Sequence, residues 1–174
     1  RGMSDGPRWA ELIKEVRRSF SGRLTYVAHG ADEAERVAFW PLLDAVAVSL
    51  YPPLGADNAQ ENWRRAIETE LDRVEAVARN VEKPVWIAEI GIRSAEGAAA
   101  RPWESAEERA AQPDLQLQAA VLSQWLHALK DRKIDNVWIW RWLTDPEGGG
   151  QYDTDFTVQN KLAESRIGDW WREY

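Results

Sequence analysis

The chain has 174 residues, of which 44% are hydrophobic, with a net charge of −7 and no cysteine. That length and apolar content suit a single domain with an ample core. The acidic balance argues against a nucleic-acid partner, which needs a basic surface, and the lack of cysteine excludes disulfides and thiolate zinc sites.

No apolar run is long enough to span a bilayer, so no membrane partner is expected. His29 and His127 lie far apart with no metal-ligand spacing around them, and no metal or cofactor is expected. Tryptophan is the outlier, with 11 residues. Many belong in a core, yet such abundance also suits carbohydrate binding, where aromatic faces stack on sugar rings. No signal peptide is visible. Arg1 has no initiator Met before it, so the chain reads as beginning partway through a longer protein.

In chain order, Arg8 to Phe20 has a helical period, with Trp9, Leu12, Ile13 and Val16 as its apolar stripe. Asp5 or Ser4 is expected to cap it, and Pro7 falls in its first turn. Leu24 to Ala28 reads as a strand with His29-Gly30 at its exit, followed by a short helix or helical turn from Ala31 to Trp40. Leu43 to Tyr51 is the second strand. Ala45, Ala47, Ser49 and Tyr51 form one face and Val46, Val48 and Leu50 the other. Small residues suit a crowded barrel interior, and larger aliphatics suit contact with helices. Pro52-Pro53 stops that strand, and Asn62 to Asn80 is a helix.

The third strand, Val85-Trp86-Ile87-Ala88-Glu89-Ile90, organises the chain. Strict alternation puts Val85, Ile87 and Glu89 on one face and Trp86, Ala88 and Ile90 on the other. A carboxylate at the exit of an apolar strand is costly unless something uses or pairs it. The two readings are a reactive group and a Glu bonded to backbone or to an Arg. A long loop, Ser94 to Asp114, follows; loops of this length are uncommon unless functional. Leu115 to Asp131 is a helix, Asn136 to Leu143 the fourth strand, Asp145 to Gly150 a loop, and Asn160 to Trp171 the last helix.

Strands alternating with helices imply parallel pairing. An eight-fold barrel takes about 250 residues. Four strands could also form a small open sheet, but the inward and outward patterns look like a barrel, so the expected fold is α/β: the C-terminal half of a (β/α)8 TIM barrel, strands five to eight with their helices, as one domain part over residues 1–174. The other four strands are expected upstream of Arg1 or in another polypeptide.

Strand exits in such a barrel converge on one mouth. They would bring together His29, Tyr51, Glu89 and the Trp140/Trp142 pair. A tyrosine hydroxyl beside a carboxylate orients it. Arg93 is either a substrate contact or the partner of a loop carboxylate. Trp138, Trp140 and Trp142 alternate along one strand face, which is a sugar platform if it turns to the lumen and core if it turns to the helices. A carboxylate, a tyrosine and stacked tryptophans suggest glycoside hydrolysis, which uses two carboxylates, about 5–5.5 Å apart in a retaining enzyme. Glu89 supplies one. Asp145, Asp153 and Asp155 lie in loops and are weaker candidates for the second.

At this point the residues resemble a known family. Trp9-x-x-Leu12-Ile13, Gly22-x-Leu24-Thr25-Tyr26, Phe39-Trp40, Tyr51-Pro52-Pro53-Leu54, Lys83-Pro84-Val85 through Glu89-Ile90-Gly91-Ile92-Arg93-Ser94, Pro102-Trp103, Trp138-Ile139-Trp140-Arg141-Trp142 and Asp155-Phe156-Thr157 stand in shared order and spacing. In these the chain is similar to the C-terminal half of glycoside hydrolase family 113, the β-mannanase-type barrels of clan A. The resemblance implies a retaining hydrolase of a β-linked polysaccharide or oligosaccharide, mannan-like or an exopolysaccharide. Glu89 would be the nucleophile, with the acid/base Glu upstream of Arg1. It implies Trp140 or Trp142 at the cleavage subsite, Tyr51 on Glu89, and Trp103 at a more distant subsite; His29 stands where relatives tend to have Asn. The partners it implies are a carbohydrate substrate and an N-terminal half-barrel segment or chain. A secreted or periplasmic location suits polysaccharide degradation. The alternative is a non-catalytic barrel that binds carbohydrate or serves as a structural, surface or phage-like component.

Overall fold

The computed structural model describes residues 6–55 and 59–173. The proposed cap residues Ser4 and Asp5 lie outside them. Helix α1 (Gly6–Ser19) is followed by strand β1 (Val27–His29), helix α2 (Gly30–Ala34), strand β2 (Val46–Leu50) and helix α3 (Gln60–Asn80). Strand β3 (Val85–Ile90), helix α4 (Leu115–Asp131), strand β4 (Val137–Ile139) and helix α5 (Leu162–Glu173) complete the order. The four strands form one parallel sheet in the order β1-β2-β3-β4.

The helices form because their apolar residues recur at helical spacing and find one surface to bury. On α3, Trp63, Ile67, Leu71, Val74 and Ala78 are buried; on α4, Leu117, Val121, Leu122, Trp125, Leu126 and Leu129. They pack on Val46, Val48, Leu50, Ile87 and Ile90 in one core. Asp114 caps α4 by accepting from the Leu117 N–H at 2.9 Å. Helix α1 buries only Ile13 fully, and Leu12 of its expected stripe is half exposed. Its Trp9 stacks on Phe39 with ring centroids 4.8 Å apart and meets Tyr26 edge-on at 5.2 Å.

Several boundaries differ from expectation, each for a local reason. β1 begins at Val27 rather than Leu24, because Asp44 intercepts the ladder. Its carboxylate accepts from the Leu24 N–H at 2.6 Å, and its own N–H bonds the Leu24 carbonyl. The short helix or helical turn expected from Ala31 to Trp40 is a helix only as far as Ala34, and a separate 3-10 turn spans Trp40–Leu42 around Pro41, which has no N–H to continue a helix. β4 ends at Ile139 rather than Leu143.

The alternation expected along β3 is also broken. Val48 pairs with Ile87, but Ser49 pairs with Glu89, so β3 carries an extra residue between them. Such a bulge re-aims side chains. Ile87 and Ile90, three apart, both enter the core, and Glu89 is released to the opposite face. The expected sharing of one face by Ile87 and Glu89 is therefore wrong.

Candidate active site at the strand exits

The sheet face away from the helices is lined by Ala45, Ala47 and Ser49 of the β2 segment, Trp86 and Glu89 of β3, and Trp138 of β4. Trp86 and Trp138 meet with centroids 6.1 Å apart. At the carboxyl ends of the strands this face opens into a cleft of about 490 Å³. His29 enters it from β1, Ser49 and Tyr51 from the β2 exit, Glu89 from β3 and Trp140 from just beyond β4. The loop after β3 adds Trp103, Ser105 and Glu107, and the loop after β4 adds Arg141, Asp155 and Phe156. A smaller lobe of about 170 Å³ continues past His29, Ser49, Tyr51 and Trp103 toward Asp32 and Glu70.

Glu89 is held by one short bond. The Tyr51 hydroxyl donates to its Oε1 at 2.6 Å, while the Tyr51 ring stands edge-on to Phe156. Burial, and then the neighbouring Glu89 carboxylate, push the Tyr51 hydroxyl far above the usual phenol range, so it stays protonated and donating. His29 Nδ1 lies 3.3 Å from Ser49 Oγ, and the His29 N–H donates to Glu33 at 2.6 Å. Gly91 leaves room where a Cβ would lie 2.4 Å from the Trp140 carbonyl oxygen. That close approach, and the 2.8 Å bond from the Trp140 N–H to the Ile90 carbonyl, bring Trp140 next to Glu89 after the strand itself has ended.

Two expected contacts fall elsewhere. Trp142 is exposed, and with β4 over at Ile139 it is not among the residues lining the cleft. Arg93 is not among the residues lining the cleft and, among the described residues, forms no salt bridge with a loop carboxylate; its side chain is fully buried. Its guanidinium donates to the carbonyls of Thr154 at 2.9 Å and of Ser105 and Arg109 at 3.0 Å. It thus ties together the two loops that wall the cleft.

Buried polar groups extend this tie. Gln118 Nε2 donates to the carbonyls of Ile92 and Phe156. Lys161, with no exposed side-chain surface, donates to Ser94 Oγ, Asp153 Oδ1 and the Asp155 carbonyl at 2.9, 2.6 and 3.1 Å. Burial pulls the Lys161 ammonium below the usual lysine range, against the opposing pull of Asp153. The long loop after β3 is fixed as well. The Leu54 N–H bonds the Ala99 carbonyl at 2.8 Å, and Arg109 pairs with Glu104.

Of the weaker candidates for a second carboxylate, Asp153 is paired with Lys161 and Asp155 with Arg141. Asp145 accepts from the Glu147 N–H within its own loop. Glu107, which sequence reasoning passed over, is the carboxylate besides Glu89 and Asp155 that lines the cleft. Its only signal was membership of a long loop, since no periodicity marks a loop side chain. Among the described residues no cluster of carboxylates and imidazoles could hold a metal ion.

Parallel strands alternating with helices, with a cleft at the strand exits, suit one half of a (β/α)8 barrel. The chain belongs to Glycoside Hydrolase Family 113, whose model matches residues 3–161. It is similar to a solved structure described as a GH113 beta-1,4-mannanase, with 28% identity and a TM-score of 0.83, over 100% of this chain and 53% of that one. A complex structure of a GH113 beta-1,4-mannanase gives 27% identity and a TM-score of 0.82, over 99% and 52%. The GH113 beta-mannanase AaManA from Alicyclobacillus acidocaldarius, in complex with ManMIm, shares the fold at 24% identity and a TM-score of 0.76, over 95% and 50%. The chain thus spans about half the length of the solved structures it matches. No curated protein matches it.

Proposed function

We propose that this chain carries the nucleophile half of a retaining glycoside hydrolase acting on a β-linked polysaccharide or oligosaccharide. The observation that carries the reading is Glu89. A bulge turns it out of the apolar core and into a tryptophan-edged cleft, where the Tyr51 hydroxyl orients it at 2.6 Å.

In this mechanism Glu89 Oε2, the oxygen not engaged by Tyr51, attacks the anomeric carbon. The bond to the leaving oxygen breaks as a second carboxylic acid protonates that oxygen. The second acid, now a carboxylate, takes a proton from water, which displaces Glu89 and restores both groups. That acid/base belongs to the half of the barrel that this chain does not span. Trp140 stacks against the sugar at the cleavage point, and His29 contacts its hydroxyls. The solved relatives described as beta-1,4-mannanases make β-1,4-linked mannan the first substrate to assay.

The test is Glu89→Gln in the protein that joins this chain to the rest of its barrel. Mannan cleavage should fall by several orders of magnitude with the fold intact. Near-normal turnover would refute the assignment.

A further inference from the structure

We propose that Lys161 is a positioning residue for the nucleophile: from behind the cleft wall its ammonium fixes the turn that backs Tyr51, and through Tyr51 it fixes the carboxylate of Glu89. The proposal rests on the reading of Glu89 given above.

Lys161 stands just ahead of α5 and is not among the residues lining the cleft. Its side chain is fully buried. An ammonium carries three donors and no acceptor. All three are engaged, by Ser94 Oγ, Asp153 Oδ1 and the Asp155 carbonyl. Each acceptor is tied onward. Ser94, in the chain that leaves β3, donates its hydroxyl to the Asp153 carbonyl at 2.7 Å, and its N–H bonds the Asp155 carbonyl at 3.3 Å. Asp153 Oδ1 accepts from the Asp155 N–H at 2.8 Å, and Asp155 Oδ1 from the Phe156 N–H at 2.7 Å. The β3 exit, the turn 153–156 and the start of α5 therefore meet at one charged nitrogen.

A buried ion pair is a poor source of stability, because removing both charges from water offsets most of their attraction, and apolar residues of equal volume often serve as well. Apolar side chains cannot hold three oxygen acceptors from two segments at set distances. Lys161 is thus better explained by the position it enforces than by the stability it adds.

Position matters because of what the turn carries. Arg93 takes the Thr154 carbonyl, and Lys161 takes the Asp155 carbonyl next to Phe156. Phe156 lines the cleft, and its ring meets Tyr51 edge-on, with centroids 6.1 Å apart and planes at 89°. Gly91 closes a further side: a Cβ there would lie 3.3 Å from both the Phe156 ring and the Tyr51 hydroxyl. The hydroxyl has little room to swing, and Phe156, seated by Lys161, keeps it on Glu89 Oε1 at 2.6 Å.

The test measures kcat and KM separately, in the protein that joins this chain to the rest of its barrel, on a β-1,4-linked manno-oligosaccharide. Lys161→Met keeps most of the stem and removes the ammonium. With the fold intact by circular dichroism, kcat should fall about tenfold and KM should stay within about twofold. The same substitution is then made in a Tyr51→Phe background. The route to Glu89 is already cut there, so the further loss of kcat should be under about twofold. A merely structural lysine would cost the same factor in both backgrounds. That result, or an unchanged kcat in Lys161→Met, overturns the proposal. If Lys161→Met does not fold, Ser94→Ala replaces it; it leaves the ion pair in place and should lower kcat about threefold, again only while Tyr51 is present. Equal losses in both backgrounds overturn the proposal here too. Glu89→Gln is assayed alongside. If it abolishes cleavage while Lys161→Met changes nothing, the positioning role falls and the hydrolase reading stands. If Glu89→Gln cleaves normally, the nucleophile reading falls, and a crystal structure of Lys161→Met decides the rest: an unaltered Tyr51–Glu89 bond overturns the positioning role, and a parted one keeps it.

Discussion

Replacing Arg93 by Met keeps the apolar stem and removes the guanidinium. Three main-chain carbonyls, at 2.9, 3.0 and 3.0 Å, then lose their donor in a fully buried setting. Hydrogen bonds to a charged group are worth about 1.5–3 kcal/mol each. The three together are therefore worth about 5–9 kcal/mol. Against this, the variant no longer holds a charge out of water, a relief of several kcal/mol. The balance is a net loss of about 2–4 kcal/mol, with the damage confined to the two loops that the guanidinium joins. For a chain of this size that loss lowers the melting temperature by about 6–12 °C. Differential scanning calorimetry reads the stability. Limited proteolysis reads its location, with new cuts expected within residues 94–114 and 150–160. Arg93→Lys should recover little, because one ammonium cannot span three carbonyls set around a planar fork. A stability change under about 0.5 kcal/mol, with an unaltered digest, would refute the assignment of Arg93 as the loop tie.

Three further outcomes follow from the same geometry. Gly91→Ala sets a Cβ 2.4 Å from the Trp140 carbonyl oxygen; the strand exits must part, and a shift of about 1 Å at a site of this kind lowers kcat/KM about 100-fold, as oligosaccharide hydrolysis assays would show. Tyr51→Phe deletes the bond that orients Glu89 and should lower kcat about 10- to 100-fold with an unchanged circular dichroism spectrum; an unaltered kcat would remove Tyr51 from the site. The Asp44 carboxyl is held below its usual value by the Arg17 guanidinium first and the Leu24 N–H second. A depressed folded-state value stabilises above the ordinary carboxyl pKa, and the benefit is lost as pH falls through the folded value. Wild type should therefore exceed Asp44→Asn by a small, constant margin near neutrality that closes in acid below about pH 4, measured by urea unfolding across pH.

Helices α3 and α4 were legible because each carries one apolar stripe, and nothing tertiary competes with it. Strand β2 was legible on both faces, since small residues alternate with aliphatic ones. The family resemblance was carried by order and spacing along the chain, and the match over residues 3–161 agrees with it. Arg93 and Trp142 read wrongly because a residue type near a strand exit does not say which way its side chain turns. Arg93 went inward to meet carbonyls that come from loops 12 to 61 residues away. Trp142 lost its alternation once β4 stopped at Ile139.

Periodicity and punctuation along the chain by themselves determined a parallel strand–helix repeat, half of a barrel, with Glu89 at a strand exit, because those signals are local and each residue carries its share. Only the tertiary structure decided that Glu89 faces the cleft while Ile87 does not, since that depends on a bulge defined by pairing with Val48 and Ser49 of another strand. It also decided that Glu107 and Arg141 share a wall with Glu89. Residues that far apart in sequence become neighbours only when buried Arg93, Gln118 and Lys161 satisfy the polar main chain of the loops between them.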